Sequence, residues 1–153
     1  MRGSIDDIIK GLEDYKKSLK AKADALLKAL AEAGVEAASI SFHGTGYLGD
    51  DNVEVTVEQR GPGSFAVVAS GKAVLFLEFG AGVTMGGGHP NPMGYGPGTY
   101  PGKGHWDDPK GWWLPKEAGG GHTYGNAPSA AMYHTGKSLH AIVADAAREV
   151  FGS

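Results

Sequence analysis

Histidine, aspartate and tryptophan crowd into one stretch of this chain, which raises the question of what chemistry they could do together. His89, His105 and His122 stand 16 and 17 residues apart, with Asp107 and Asp108 beside the second of them. A loop-built zinc site would need three or four such ligands to converge. No H-x-x-x-H or H-x-H pair holds two of them on one face, so the spacing names no metal. Nucleophilic catalysis needs a hydroxyl or thiol beside a base and an orienting group. The chain has no cysteine, no nucleophile-elbow motif, and no serine anywhere between Gly80 and Ala127. Asp107 and Asp108 are sequence neighbours that point apart in an extended chain. Asp108-Pro109-Lys110-Gly111 instead fits a type I turn, with aspartate, proline and glycine at its first, second and fourth positions. That turn predicts a small hairpin over His105–Leu114 carrying Trp106, Trp112 and Trp113. Tryptophans so placed can stack sugars or bases or anchor a protein interface. With no basic groove to accompany them, an interface is the expectation, and no catalytic, cofactor-binding or metal-ligating residue is predicted.

Other motifs lose their chemistry once their context is considered. Gly44-Thr45-Gly46-Tyr47-Leu48-Gly49 matches the dinucleotide-binding glycine pattern, but that pattern needs a helix to follow. Here Asp50-Asp51-Asn52 and a valine-alternating segment follow, so the expectation is a β–β loop with a solvated acidic tip. No calcium-loop spacing with a terminal glutamate accompanies those acids. His134 and His140 lie six apart and share no helical face, and His43 has no evident partner.

The elements that must position these residues follow from periodicity. Residues 4–33 read as one long helix: Ser4 is a good N-cap, and Asp6 and Asp7 complement the dipole of the first turn. Ile5, Ile8, Ile9, Leu12, Tyr15, Leu19, Ala23, Leu26, Leu27 and Leu30 recur by threes and fours. Gly34 reads as the stop. Gly11 interrupts the pattern at a cost of about 1 kcal/mol relative to alanine. A helix this long exceeds what the domain needs: the expectation is an amphipathic helix covering the core, and the sharper alternative is that one end projects past the core to touch a neighbouring subunit. Residues 38–79 then read as a four-stranded antiparallel sheet. Ala38, Ile40 and Phe42 alternate with serines, and Val53, Val55 and Val57 alternate with Glu54, Thr56 and Glu58. Ser64–Ser70 and Ala73–Phe79 follow across short turns, apolar enough to be covered on both faces by helices. Residues 80–127 form a long extended loop. Residues 128–151 read as a closing helix with Pro128 in its first turn. The fold class is α+β, one domain over residues 1–153.

Composition narrows the function classes. All three tryptophans, six of eight prolines and three of six histidines fall within Gly80–Ala127. A structureless loop this long is functional or disordered, and its aromatics argue against disorder. Twenty-six glycines in 153 residues exceed the usual share of roughly 7%, so ordering the loop is costly and is expected to draw on a second chain. The formal charge is −3 with no basic block, which disfavours binding duplex DNA by phosphate neutralisation. No apolar run approaches the length of a membrane span. The N-terminal residues lack the apolar core of a secretory signal, so a soluble protein used without export is expected.

Leu77-Glu78-Phe79-Gly80, the Gly/His/Pro-rich loop, Lys110-Gly111-Trp112-Trp113 and Gly125-Asn126-Ala127-Pro128 before a last helix resemble the tail-component or neck proteins of long-tailed bacteriophages. The resemblance covers the order of elements from about Ile5 to Phe151. One departure is Pro128-Ser129-Ala130-Ala131-Met132, where the family often carries an Ala-Arg-Pro-Phe-like sequence. The resemblance implies a non-enzymatic virion protein without cofactor, made in the bacterial host cytoplasm. It would form a hexameric or dodecameric ring at the head–tail junction, beside other neck, connector and tail tube proteins, with double-stranded DNA passing without specific binding. A tail terminator capping the tube is the close variant. On this view Phe79, Tyr95, Tyr100, Trp106, Trp112, Trp113 and Tyr124 are subunit-interface candidates, and Asp50, Asp51, Glu54 and Glu58 are candidates for the channel lining. The rival from another class is a small glycan-binding or hydrolase domain using the Trp hairpin, with His105, Asp107 or His122 in acid–base roles.

Overall fold

Local chemistry at the first turn sets the N-terminal helix. In the computed structural model, which describes residues 4–44, 52–83, 85, 88–94 and 108–152, Ser4 and Asp7 form a reciprocal capping box. The Ser4 hydroxyl accepts from the Asp7 N–H (3.2 Å), and the Ser4 N–H donates to the Asp7 carboxylate (3.0 Å). From there α1 runs unbroken over Ile5–His43, 39 residues, about 58 Å at 1.5 Å per residue.

The expected stop at Gly34 and the expected strand at 38–42 are both absorbed into α1. Its buried residues are Ala31, Gly34, Ala38 and Phe42, which share a helical face, whereas Ile40 is 68% exposed, which no half-buried strand would leave outside. Gly34 does not terminate the helix; it lets the helix approach its neighbours. A Cβ there would lie 2.9 Å from Leu139 Cδ1 and 2.9 Å from Val67 Cγ2.

The second and third expected strands form. β1 (Glu54–Gly61) and β2 (Ser64–Ser70) pair antiparallel from Glu54↔Ser70 to Gly61↔Ser64, with a register irregularity at Gln59/Gly61. The expected fourth strand is instead a short helix, α2 (Val74–Phe79). Apart from Glu78 its run is apolar all round, a pattern that suits a buried helix and a buried strand equally. Among the described residues the sheet therefore has two strands, not four. A second two-stranded piece, β3 (Trp112–Trp113) with β4 (His122–Thr123), lies within the long loop, with a 3₁₀ turn at Lys116–Ala118 between them. α3 (Ala131–Phe151) closes the chain. The architecture is mixed helix and sheet: two helices of unequal length, a short helix and two small antiparallel sheets.

The core is compact and sits at one end of α1. Ala38 and Phe42 of α1, Val53 ahead of β1, Ala73 and Leu77 around α2, and Ala131 of α3 form one buried cluster, flanked by Val55, Ala69, Val74 and Met132. The other end of α1 lies outside it: residues 4–22 are all exposed. No helix among the described residues is long and apolar enough to cross a membrane.

Candidate functional site

The base of the long loop is a joint built from the two short motifs that flank it. α2 ends at Glu78-Phe79, and its last carbonyls have no intrahelical donor. Segment 126–130 supplies them. Asn126 Nδ2 donates to the Phe76 carbonyl (2.8 Å), the Ser129 N–H to Leu77 O (2.7 Å), and the Ala130 N–H to Glu78 O (3.1 Å). The exchange is reciprocal, because the Glu78 side chain turns to the N-terminus of α3. Its Oε2 accepts from the Met132 N–H (2.9 Å) and its Oε1 from the Tyr133 N–H (3.1 Å). A carboxylate at a helix start is favoured by orphan N–H groups and the helix dipole together. The N-cap of α3, Ala130, takes φ +48° and has no side chain that can cap; Ser129 Oγ accepts from the Ala131 N–H at 3.4 Å. A carboxylate 54 residues earlier in the chain does the rest of the capping.

His89 completes the joint. Its Nε2 lies 3.1 Å from Glu78 Oε1, and its Nδ1 accepts from the Asn91 N–H at 3.0 Å. A backbone N–H can only donate, so the ring proton sits on Nε2 and is given to Glu78. The imidazole also packs on Phe79, ring centroids 4.6 Å apart, and edge-on to Tyr133 at 5.8 Å. Both side chains are buried. Both ring nitrogens of His89 and both carboxylate oxygens of Glu78 are thus engaged within the chain, and the arrangement works as a fastening.

Next to it the backbones cross closely. The Ala81 and Asn126 N–H and C=O groups exchange hydrogen bonds of 2.9 and 3.0 Å. A Cβ on Gly125 (φ +103°) would sit 1.8 Å from Ala81 O, and one on Gly82 (φ +81°) 2.2 Å from Tyr124 O. Only glycine allows that approach. The loop is therefore clasped at its neck, with residues 77–82 on one side and 124–130 on the other. Beside the clasp, an open apolar cleft of about 470 Å³ lies between β2, α2 and the first turn of α3. Its walls include Val67, Val74, Leu75, Met93 and Met132, with Glu78 and His89 at one corner.

Within the loop the predicted turn at Asp108–Gly111 forms. The Gly111 N–H donates to Asp108 O (3.0 Å), and the Lys110 N–H to the Asp108 carboxylate (2.9 Å). The first arm of the predicted hairpin over His105–Leu114 lies outside the described residues; its second arm pairs onward along the chain, Trp112 with Thr123 and Trp113 with His122. The strand partner comes from beyond the tryptophans because the Leu114 N–H bonds to Gly121 O (2.8 Å) and the 3₁₀ turn brings the chain back.

The two described tryptophans diverge. Trp112 is buried at 8% exposure, as is Phe79, whereas Trp113 is 75% exposed and Tyr124 52%. Trp113, His122 and Tyr124 form an exposed ridge of edge-on rings, with centroid separations of 5.3 and 5.0 Å. Glu54 and Glu58 project from β1 into solvent, Glu58 pairing with Arg60 at 2.7 Å. Tyr95, Tyr100, His105, Trp106, Asp107, Asp50 and Asp51 lie outside the described residues. Among the described residues no three His, Asp or Glu side chains gather as metal ligands.

Sequence reasoning missed the roles of Glu78 and His89. The signal was a lone carboxylate in an otherwise apolar run from Ala73 to Phe79, which must find donors if buried. Comparison with known protein families, with curated proteins and with solved structures finds no match to this chain.

Proposed function

We propose that this chain is a structural assembly protein of a long-tailed phage or prophage, a neck or tail-completion subunit that joins head to tail as a homo-oligomeric ring. The observation that carries the reading is the ridge of Trp113, His122 and Tyr124, large aromatic surface left exposed on and beside the short β3–β4 pair. Such anchors are what protein interfaces use. The resemblance to neck and tail-component proteins supports it further, because Leu77–Gly80 and Gly125–Pro128, which carry that resemblance, are the two halves of the clasp. A clasped loop presents its aromatics at a defined place, and a head-to-tail contact between neighbours closes a ring.

The acidic balance suits a channel that DNA traverses without sticking. Glu54 and Glu58, exposed on one face of β1, are the described residues proposed for the lumen. The capping of a tail tube by the same ring is the close variant, and the virion is the proposed location. Imaging the protein in its native particle tests the reading: the ridge is expected against another chain. A particle in which Trp113 and Tyr124 contact no protein, or a monomer that binds glycan through Trp113, would remove it.

A further inference from the structure

The side of β2 that faces away from β1 is a bare edge. Among the described residues, Ser64–Ser70 pairs with β1 alone, regularly from Glu54↔Ser70 to Gln59↔Phe65. The N–H and C=O groups of Phe65–Ala69 that point the other way meet no hydrogen-bond partner among them. Between its terminal serines the strand reads Phe65-Ala66-Val67-Val68-Ala69, with no charge, proline or glycine.

The two edges of the hairpin are not alike. β1 also pairs on one side only, but Glu54, Glu58 and Arg60 stand exposed along it, with Glu58 and Arg60 joined at 2.7 Å. Charge is a common means of keeping an edge from pairing. β2 has no such device, which leaves a five-residue ladder of about 17 Å open.

The apolar cleft runs along this edge. Val67, Val68 and Ala69 all line it. Consecutive side chains of a strand point to opposite faces, so a cavity that meets all three follows the side of the strand and not one of its faces. The far wall comes from Val74, Leu75 and Phe79 of α2 and from Met132 at the start of α3. A row of unmatched donors and acceptors beside an apolar trough has one complement: an extended backbone with apolar side chains at alternate positions. A helix spends its N–H and C=O groups internally, and a compact small molecule cannot match the strand repeat along the ladder.

We infer that this groove binds an extended segment of another protein, which adds to β2 as a third strand and sets alternate apolar side chains into the cleft. With α2 and α3 forming the far wall, the groove takes a single strand. The β1 strand of a second copy carries its own β2 on its other side, where that wall stands, so it does not enter. The site is separate from the aromatic ridge, and it holds or fails independently of the ring.

Four acetylated and amidated peptides test it on the full chain, each alternating threonine with valine, isoleucine, leucine or phenylalanine and ending in lysine. At least one is expected to bind with a Kd on the order of 100 μM or tighter. Amide hydrogen exchange is expected to be fast at the outward N–H groups of Phe65–Ala69 in the free chain, and to slow by about tenfold or more with peptide bound. N-methylation of the peptide at every second residue is expected to abolish binding in one phase and spare it in the other, because alternate N–H groups face β2. Leu75→Ala is expected to weaken binding on the order of 10-fold while leaving circular dichroism unchanged. Failure of all four peptides to bind at about 1 mM overturns the inference. Outward β2 amides already protected in the free chain overturn it too, because the edge is then occupied. So does binding that tolerates both N-methyl phases, since the cleft would then take side chains without a third strand.

Discussion

Replacing Glu78 by glutamine tests the clasp with a change of one atom. In the native joint Oε1 accepts from Tyr133 N–H and His89 Nε2–H, and Oε2 accepts from Met132 N–H, at 2.9–3.1 Å. Glutamine keeps its oxygen where two donors converge, which turns its NH₂ toward the Met132 N–H. One buried donor then faces another donor, at a cost of about 1–3 kcal/mol. Loss of the charge at the start of α3 adds roughly 1 kcal/mol. The expected destabilisation is about 2–4 kcal/mol, a large share of a typical domain's 5–15. For a chain of this size that is a fall in Tm of about 4–16 °C.

Urea unfolding followed by circular dichroism measures it. A second readout separates the clasp from general damage: limited proteolysis should cut within residues 80–127 of the Glu78→Gln variant sooner than in the native chain, while α1 stays intact. Glu78→Asp, one methylene too short to reach both N–H groups, should fall between glutamine and native. A Glu78→Gln chain within about 0.5 kcal/mol of native, with unchanged proteolysis, would refute the reasoning, because it would mean the three hydrogen bonds contribute nothing net.

Four further outcomes follow from the same geometry. Trp112→Ala should cost about 3–5 kcal/mol in urea unfolding, as buried aromatics do, whereas Trp113→Ala and Tyr124→Ala should stay within about 0.5 kcal/mol and abolish incorporation into particles. Gly125→Ala should lower stability by more than about 1 kcal/mol, since both the positive φ and the contact with Ala81 O oppose a side chain; an unchanged Tm would contradict the close crossing. Gly34→Ala should cost up to about 2 kcal/mol, roughly 1–3 kcal/mol from pushing Leu139 and Val67 away from α1 less about 1 kcal/mol of helix propensity gained. By contrast Gly11→Ala, into open space, should raise helix content in dilute samples by circular dichroism, worth about 1 kcal/mol.

What the sequence determined by itself was whatever depends on neighbours a few residues away. The start of α1 is legible because Ser4 and Asp7 cap each other within one turn. The β1–β2 pair is legible because alternating valines and a Gly-Pro-Gly turn specify a hairpin locally. The turn at Asp108–Gly111 is legible for the same reason.

Tertiary structure decided the rest. Gly34 has the appearance of a helix stop until Leu139 and Val67, distant in sequence, turn it into a packing surface. Ala38, Ile40 and Phe42 fit a strand until Ala38 and Phe42 are buried on one helical face and Ile40 is left outside. An apolar run such as Val74–Phe79 carries no periodicity to choose between helix and strand, so its partners chose. The candidate site lies at the far end of that scale. Histidine and tryptophan drew attention to the loop, but its fastening rests on Glu78, whose two backbone partners lie 54 and 55 residues away. A buried carboxylate announces that it needs donors, and only the folded chain can say which helix supplies them.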